Sequence, residues 1–334
     1  MSASATPPPP SHPGARLRLP ARTVGFLMSS IEFHRSMPGY APTPLTEAGG
    51  FRVKDESNRF GLPAFKVLGA SWAVNQALGP ARTFAELAAG VGEVTLVTAT
   101  DGNHGRALAY LARKLGVAAR IYVPAGLPAS TLRAIRDEGA AVIDTGRPYD
   151  DAVRQAARSI DGGDVLIQDT AWPGYEDVPR WIVAGYDTLF SEIDEQLPGV
   201  PDLVVVPTGV GSLLQSALEH YRGRAKVLAV EPTTANCVGA SLQAGEPVSV
   251  DTSAPTIMAG LNCGTVSSIA WPVIRDHLDA AVTVTDEQTR AAMDFLHAHG
   301  IPAGPCGAAA LAGARSTTLP ADTVVLISTE GATA

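Results

Sequence analysis

The chain has 334 residues, 46% of them hydrophobic and 17% charged, which is enough apolar material for one large domain or two. Its net charge is -8, and its 25 Lys and Arg are scattered along the sequence, so there is no basic field for a polynucleotide. No stretch approaches the roughly 18 apolar residues of a membrane span, so neither nucleic acid nor a membrane is expected as a partner.

Residues 1–15, MSASATPPPPSHPGA, read as a disordered Pro-rich tail without the apolar run of a signal peptide. From about residue 94 short apolar runs alternate with helical stretches. Strands are expected at 94–99, 120–123, 141–143 and 165–167, with helices at 104–115, 130–138 and 149–160 between them. This is βαβ logic, and right-handed crossovers then give a parallel sheet covered on both faces. A helix at 179–196 leads to strands at 203–207, 226–230, 281–284 and 323–328, with a turn-rich stretch before residue 271. The fold class is therefore α/β with two open, mostly parallel twisted sheets. A small domain over 80–170 is expected as an insertion in a larger one made of 16–79 and 171–334.

Lys66 lies in KDESNRFGLPAFKVLGA, residues 54–70, between the apolar runs LPAF and VLGA. Removing an ammonium from water is costly unless it is paired, deprotonated or covalently neutralised. Two readings follow: a lysine snorkelling from a helix start, or one that holds pyridoxal 5′-phosphate (PLP) as an imine. The second requires a phosphate cradle, a partner for the pyridine nitrogen and a contact to the ring hydroxyl.

Such parts lie at the carboxyl ends of expected strands, where open α/β sheets bind ligands. TGVGS, 208–212, opens a helix, so its glycines and free amides suit a terminal monophosphate, although a tight turn without ligand fits equally. In DGNHG, 101–105, Asn103 can donate to a phenolate-like oxygen beside Asp101; the alternative makes Asp101 a helix cap and His104 a satisfied first-turn residue. Asp169 ends a strand in IQDT, where a carboxylate otherwise caps a turn. Ser328 and Thr329 follow the last strand and can bond either a pyridine nitrogen or local backbone. Cys237, Cys263 and Cys306 are too few for a disulfide framework and lack metal-ligand spacing, so they read as core residues of a cytoplasmic protein, and no metal site is assigned.

Across about residues 30–331 the chain resembles the PLP-dependent β-family, fold type II, and within it the diaminopropionate ammonia-lyases. The resemblance rests on the Lys66 segment and on TATDGNHGRALA, QDTAWPGYEDVP, VEPTTANC, TIMAGLNCG and STEG, in that order. It implies that Lys66 carries PLP, that Asn103 meets the ring hydroxyl, and that Gly209, Val210, Gly211 and Ser212 cradle the phosphate. It further implies that Thr329 faces the pyridine nitrogen and that Asp101 and Asp169 are the two active-site acids. The implied reaction is α,β-elimination of either enantiomer of 2,3-diaminopropionate, or of a close β-substituted alanine, to pyruvate and ammonia, so the partner is a small amino-acid substrate; a homodimer is expected only because symmetric dimers are the commonest assembly. The chain departs from this pattern at 297–314, where Pro305 and Cys306 replace an acidic residue and a serine, and after STEG. Those departures admit a β-replacement synthase of a nonstandard amino acid; a PLP-binding protein without turnover is the third reading, which the presence of Lys66 and both acids opposes.

Overall fold

The computed structural model describes residues 28–332. The tail expected over 1–15 lies outside the described residues. A short helix α1 (Ser30–Arg35) precedes an edge hairpin of β1 (Leu45–Ala48) and β2 (Phe51–Asp55), turned by Gly49 and Gly50 at φ +56° and +87°. Helix α2 (Lys66–Leu78) begins at Lys66 itself and is followed by α3 (Phe84–Gly90).

The next segment runs β3 (Thr95–Ala99), α4 (Asn103–Leu115), β4 (Ala118–Val123), α5 (Ala129–Asp137), β5 (Ala141–Asp144), α6 (Tyr149–Arg158) and β6 (Asp164–Leu166). These strands form a four-stranded sheet in the order β5-β4-β3-β6, parallel throughout. The long helix α7 (Asp177–Gln196) leads back to β7 (Leu203–Pro207), α8 (Ser212–Tyr221), β8 (Lys226–Pro232) and α9 (Cys237–Ala244). The chain closes with α10 (Trp271–His277), β9 (Ala280–Val284), α11 (Asp286–Ala298), α12 (Pro305–Ala314) and β10 (Val324–Ser328). The second sheet has six strands in the order β1-β2-β10-β7-β8-β9, of which β1–β2 is the antiparallel pair. Every residue of β7 is buried, as expected of an inner strand covered on both faces.

Two departures from the sequence reading have plain causes. The stretch 297–314, where the sequence reading places no element, contains α12, whose PCGAAALAGA sequence shows no amphipathic period because it is buried on all sides. The hairpin β1–β2 was not anticipated: its outer strand carries polar residues along an exposed edge.

Helices α2 and α7 cross with no clearance. A Cβ on Gly69 would lie 2.5 Å from Tyr186 Cε1, and one on Gly185 would lie 2.6 Å from the Leu68 carbonyl oxygen. Below this crossing sits a buried charge network. Lys54 Nζ reaches Glu192 Oε2 at 2.6 Å, Arg59 reaches Glu192 Oε1 at 2.6 Å and Glu56 Oε1 at 2.7 Å, and all four side chains are at most 1% exposed. Two cations and two anions cancel, so the segment leading to Lys66 is anchored to α7 without a net buried charge. Burial presses on the Glu192 carboxyl from one side, but Arg59 and Lys54 outweigh it and hold its pKa down at about 2.

Candidate functional site

The Lys66 segment is pinned to the end of the six-stranded sheet. The Phe65 amide donates to the Thr329 carbonyl at 3.3 Å, and Ala64 forms a bridge with Glu330. Lys66 therefore projects from the first turn of α2 into the space between the two sheets. There its Nζ donates to Asp169 Oδ2 at 3.1 Å, with the side chains 27% and 16% exposed. Lys66 is thus only half-buried, and the fully buried lysine is Lys54; the apolar neighbours of Lys66 point into α2 packing while its nitrogen reaches the cleft.

The two acids differ in their surroundings. Crowding by protein atoms raises the Asp101 pKa and the like charge on Asp169 raises it further, against the pull of Lys66, although the residue remains accessible to water at the cleft rim. Desolvation acts in the same sense on Asp169, but Lys66 and His104 more than offset it and lower its pKa. For Lys66 desolvation favours the neutral amine, while Tyr186, Asp169 and Asp101 together hold the nitrogen protonated, so its pKa is raised. The same neighbourhood thus shifts the two carboxyls in opposite directions.

Asp169 is itself held by Gln168, a fully buried amide. Gln168 Nε2 donates to Asp169 Oδ1 at 3.2 Å and to the Tyr149 hydroxyl at 3.1 Å, while its Oε1 accepts from the Thr98 hydroxyl and the Ala99 amide, both at 2.9 Å. His104 is buried and its Nε2 meets the Ile167 carbonyl at 2.7 Å, but its Nδ1 has no partner among the described residues, so the first-turn arrangement satisfies only one ring nitrogen. Asn103, the first residue of α4, donates its amide to Glu330 Oε2 at 2.8 Å.

The loop 208–212 joins β7 to α8 and aims the first amides of α8, which have no intrahelical acceptor, at the cleft. Gly211 adopts φ +97° and a Cβ there would meet Ile274 Cδ1 at 2.8 Å; at Gly209 it would meet Cys263 Sγ at 2.9 Å. Gly211 is thus required by its backbone conformation, and Gly209 by close packing against Cys263. The Ser328 and Thr329 hydroxyls are buried without a hydrogen-bond partner among the described residues. A bare cradle of amides and two unpaired hydroxyls fit a group that brings a phosphate and a ring acceptor.

Sequence reasoning missed several residues that line this region. Tyr186, on α7, directs a buried and unpaired hydroxyl toward Lys66. Half-buried Cys263 lies against Gly209, and burial, followed by the Asp101 charge, pushes its thiol up to about 12. Glu330 stood within the STEG motif, but only its neighbours drew attention. A surface cavity of about 440 Å³ lies at the opposite, amino end of β7 and β8. Its Arg222 complements the carboxyl end of α8, which accounts for that charge without a ligand, and His277 lies at the carboxyl end of α10.

Comparison with known proteins agrees with this geometry. The family described as pyridoxal-phosphate dependent enzyme matches residues 37–330. A diaminopropionate ammonia-lyase of Salmonella typhimurium is 39% identical over 306 residues, covering 82% of this chain and 75% of its own. The holo diaminopropionate ammonia-lyase structure from Escherichia coli superposes with a TM-score of 0.83 at 34% identity, over 90% of this chain and 87% of that one. The same Escherichia coli enzyme in complex with an aminoacrylate-PLP azomethine reaction intermediate superposes with a TM-score of 0.79 at 32% identity, over the same shares. With its cleft, its amide cradle and these relatives in agreement, the chain belongs to the pyridoxal-phosphate-dependent enzymes of fold type II.

Proposed function

We propose that the chain is a PLP-dependent ammonia-lyase that eliminates ammonia from 2,3-diaminopropionate, or a close β-substituted alanine, and yields pyruvate. The observation that carries this reading is the Lys66–Asp169 contact at 3.1 Å, with Asp101 close enough to raise the pKa of one partner and be shifted by both. The cofactor, when bound, accepts the electron pair left behind as the Cα proton departs.

Lys66 would hold the cofactor, Gly209, Val210, Gly211 and Ser212 would cradle its phosphate, Asn103 would meet the ring hydroxyl and Thr329 the ring nitrogen. Lys66 then takes the Cα proton of one substrate enantiomer, and Asp101, whose raised pKa makes it the stronger base of the two acids, takes that of the other. Asp169 stays ionised and holds the β-ammonium. A β-amine leaves only with its proton, because an amide anion is too basic to depart in water, and the Asp169 carboxylate favours that protonated form. Gln168 keeps Asp169 aimed at the cleft by its bond to Oδ1. Release of 2-aminoacrylate and its hydrolysis complete the balance: one diaminopropionate and one water give one pyruvate and two ammonia.

We also propose a unit over 80–170 inserted in a larger one, and a homodimer in the reducing cytoplasm. Supporting this are the separate four-stranded sheet and three free cysteines. No helix among the described residues is long and apolar enough to cross a membrane. Light scattering on the purified protein tests the dimer. The function is tested by incubating the PLP-loaded protein with each enantiomer of 2,3-diaminopropionate and quantifying pyruvate and ammonia. Turnover to a β-substituted amino acid in place of pyruvate would move the assignment to a synthase, and cofactor binding without turnover would end the enzyme reading.

A further inference from the structure

Among the described residues, Glu330 is a cleft carboxylate left without a part in the reaction above, and its backbone is held at several points. Its backbone bridges Ala64, two residues before Lys66, its carbonyl accepts from the Gly304 amide at 2.9 Å, and the next amide, of Gly331, donates to Pro63 O at 2.9 Å. A Cβ on Gly307 would lie 2.8 Å from that same carbonyl, so glycine at 307 allows α12 to approach it. From this fixed base the side chain divides its two oxygens. Oε1 accepts from the Cys306 amide at the start of α12 at 3.3 Å, and Oε2 accepts from Asn103 Nδ2 at the start of α4 at 2.8 Å. One carboxylate thereby ties a helix of the six-stranded sheet to a helix of the four-stranded sheet across the cleft.

An asparagine amide has a donor end and an acceptor end of nearly equal shape, and either can turn toward a neighbour. A carboxylate accepts only, so it selects the nitrogen end and repels the oxygen. We infer that Glu330 is the positioning residue for Asn103: its carboxylate fixes which way the Asn103 amide presents itself to the ring hydroxyl of the cofactor. This rests on the PLP reading above, in which Asn103 meets that hydroxyl. Glu330 acts through Asn103 and is not assigned a contact with substrate.

The test uses the full-length protein stripped of cofactor and titrated with PLP, following visible absorbance and tryptophan fluorescence. Glu330→Gln keeps the shape but accepts either end of the Asn103 amide, so PLP affinity should fall about tenfold, the loss expected for one hydrogen bond to a charged group, and the absorbance maximum should shift. Glu330→Leu should weaken binding at least as much. In the Asn103→Ala background the Glu330→Gln change should have no further effect, since a residue that acts only through another shows complete coupling in a double-mutant cycle. Unchanged affinity and spectrum in Glu330→Gln, or losses that simply add to those of Asn103→Ala, would overturn the inference. Should the Glu330 variants not fold, Asn103→Asp probes the contact from the other side. Two facing carboxylates should make PLP affinity fall as pH rises, and pH-independent binding would count against it. Failure of wild-type protein to fix a borohydride-reducible label at Lys66 would instead overturn the PLP reading, so the two failures are distinguishable.

Discussion

Lys66 and Asp169 meet at 3.1 Å although one opens a helix of the six-stranded half of the molecule and the other follows the last strand of the four-stranded sheet. Their contact lowers the Asp169 pKa while that of Asp101 is raised, and in the proposed reaction Asp101 is the carboxyl that takes a proton. Asp101→Asn should therefore slow one enantiomer of the substrate by about 100-fold to 10,000-fold, the usual contribution of a positioned base, and the other much less. Asp169→Asn should slow both alike and spare O-acetylserine, whose leaving group is not a cation. Steady-state rates with both enantiomers decide this; equal slowing by Asp101→Asn would restrict that residue to binding.

The amide cradle depends on two closely packed glycines, of which Gly211 also holds a φ of +97°. Gly211→Val combines an unfavourable φ with an overlap onto Ile274 and should abolish tight PLP binding, whereas Ser212→Ala should cost about 1 kcal/mol, the net worth of one hydrogen bond. Equilibrium dialysis with PLP measures both. A Gly211→Val protein that binds as the parent does would place the phosphate elsewhere.

Removing one member of the buried charge network strands its partner. Glu192→Gln leaves Lys54 and Arg59 with one carboxylate, Glu56, between them and should destabilise the fold by about 3–5 kcal/mol. Arg59→Met should do the same by leaving Glu56 unpaired. Urea denaturation gives the values, and losses under 1 kcal/mol in both would show that water reaches the network.

Stability should respond to pH through two buried groups of opposite sign. Burial, chiefly, depresses the His34 pKa from 6.5 to about 3, so the unfolded chain takes up a proton that the folded one refuses, and stability is lost as pH falls from 6.5 toward 3. Burial raises the Glu231 carboxyl from 4.5 to about 7 despite its bonds from the Val238 and Gly239 amides, so its contribution is present below 4.5 and lost as pH rises toward 7. Between 4.5 and 6.5 the two slopes, each at most about 1.4 kcal/mol per pH unit, oppose each other and the wild-type curve should be nearly flat. Glu231→Gln should expose a loss of stability on acidification in that window, and His34→Gln a loss on alkalinisation. Melting temperatures across the window check the signs; parallel curves for all three proteins would refute the assignment.

Much of this architecture was legible because inner parallel strands are written as continuous Val, Leu and Ile runs. Observed β3 and β7 begin within one residue of their expected positions, and α7 starts two residues early. Lys66 was legible through its apolar setting, which proved to mark the packed first turns of α2 more than a buried nitrogen. Partnerships across the cleft were not legible. Asn103 and Glu330 stand 227 residues apart, and nothing local in either motif records the other. Tyr186 was hidden for a different reason: an aromatic residue within a half-buried helix reads as core until the glycine beneath its ring is seen.

That glycine contact has a mechanical consequence. Because Gly69 and Gly185 leave α2 and α7 no gap, the two helices cannot slide or roll on one another without backbone collision, and the crossing behaves as a weld lying three residues beyond Lys66. The lysine's point of attachment is thereby indexed to α7. Changes to neighbouring side chains can therefore reshape the cleft while the Lys66 backbone keeps its register with α7.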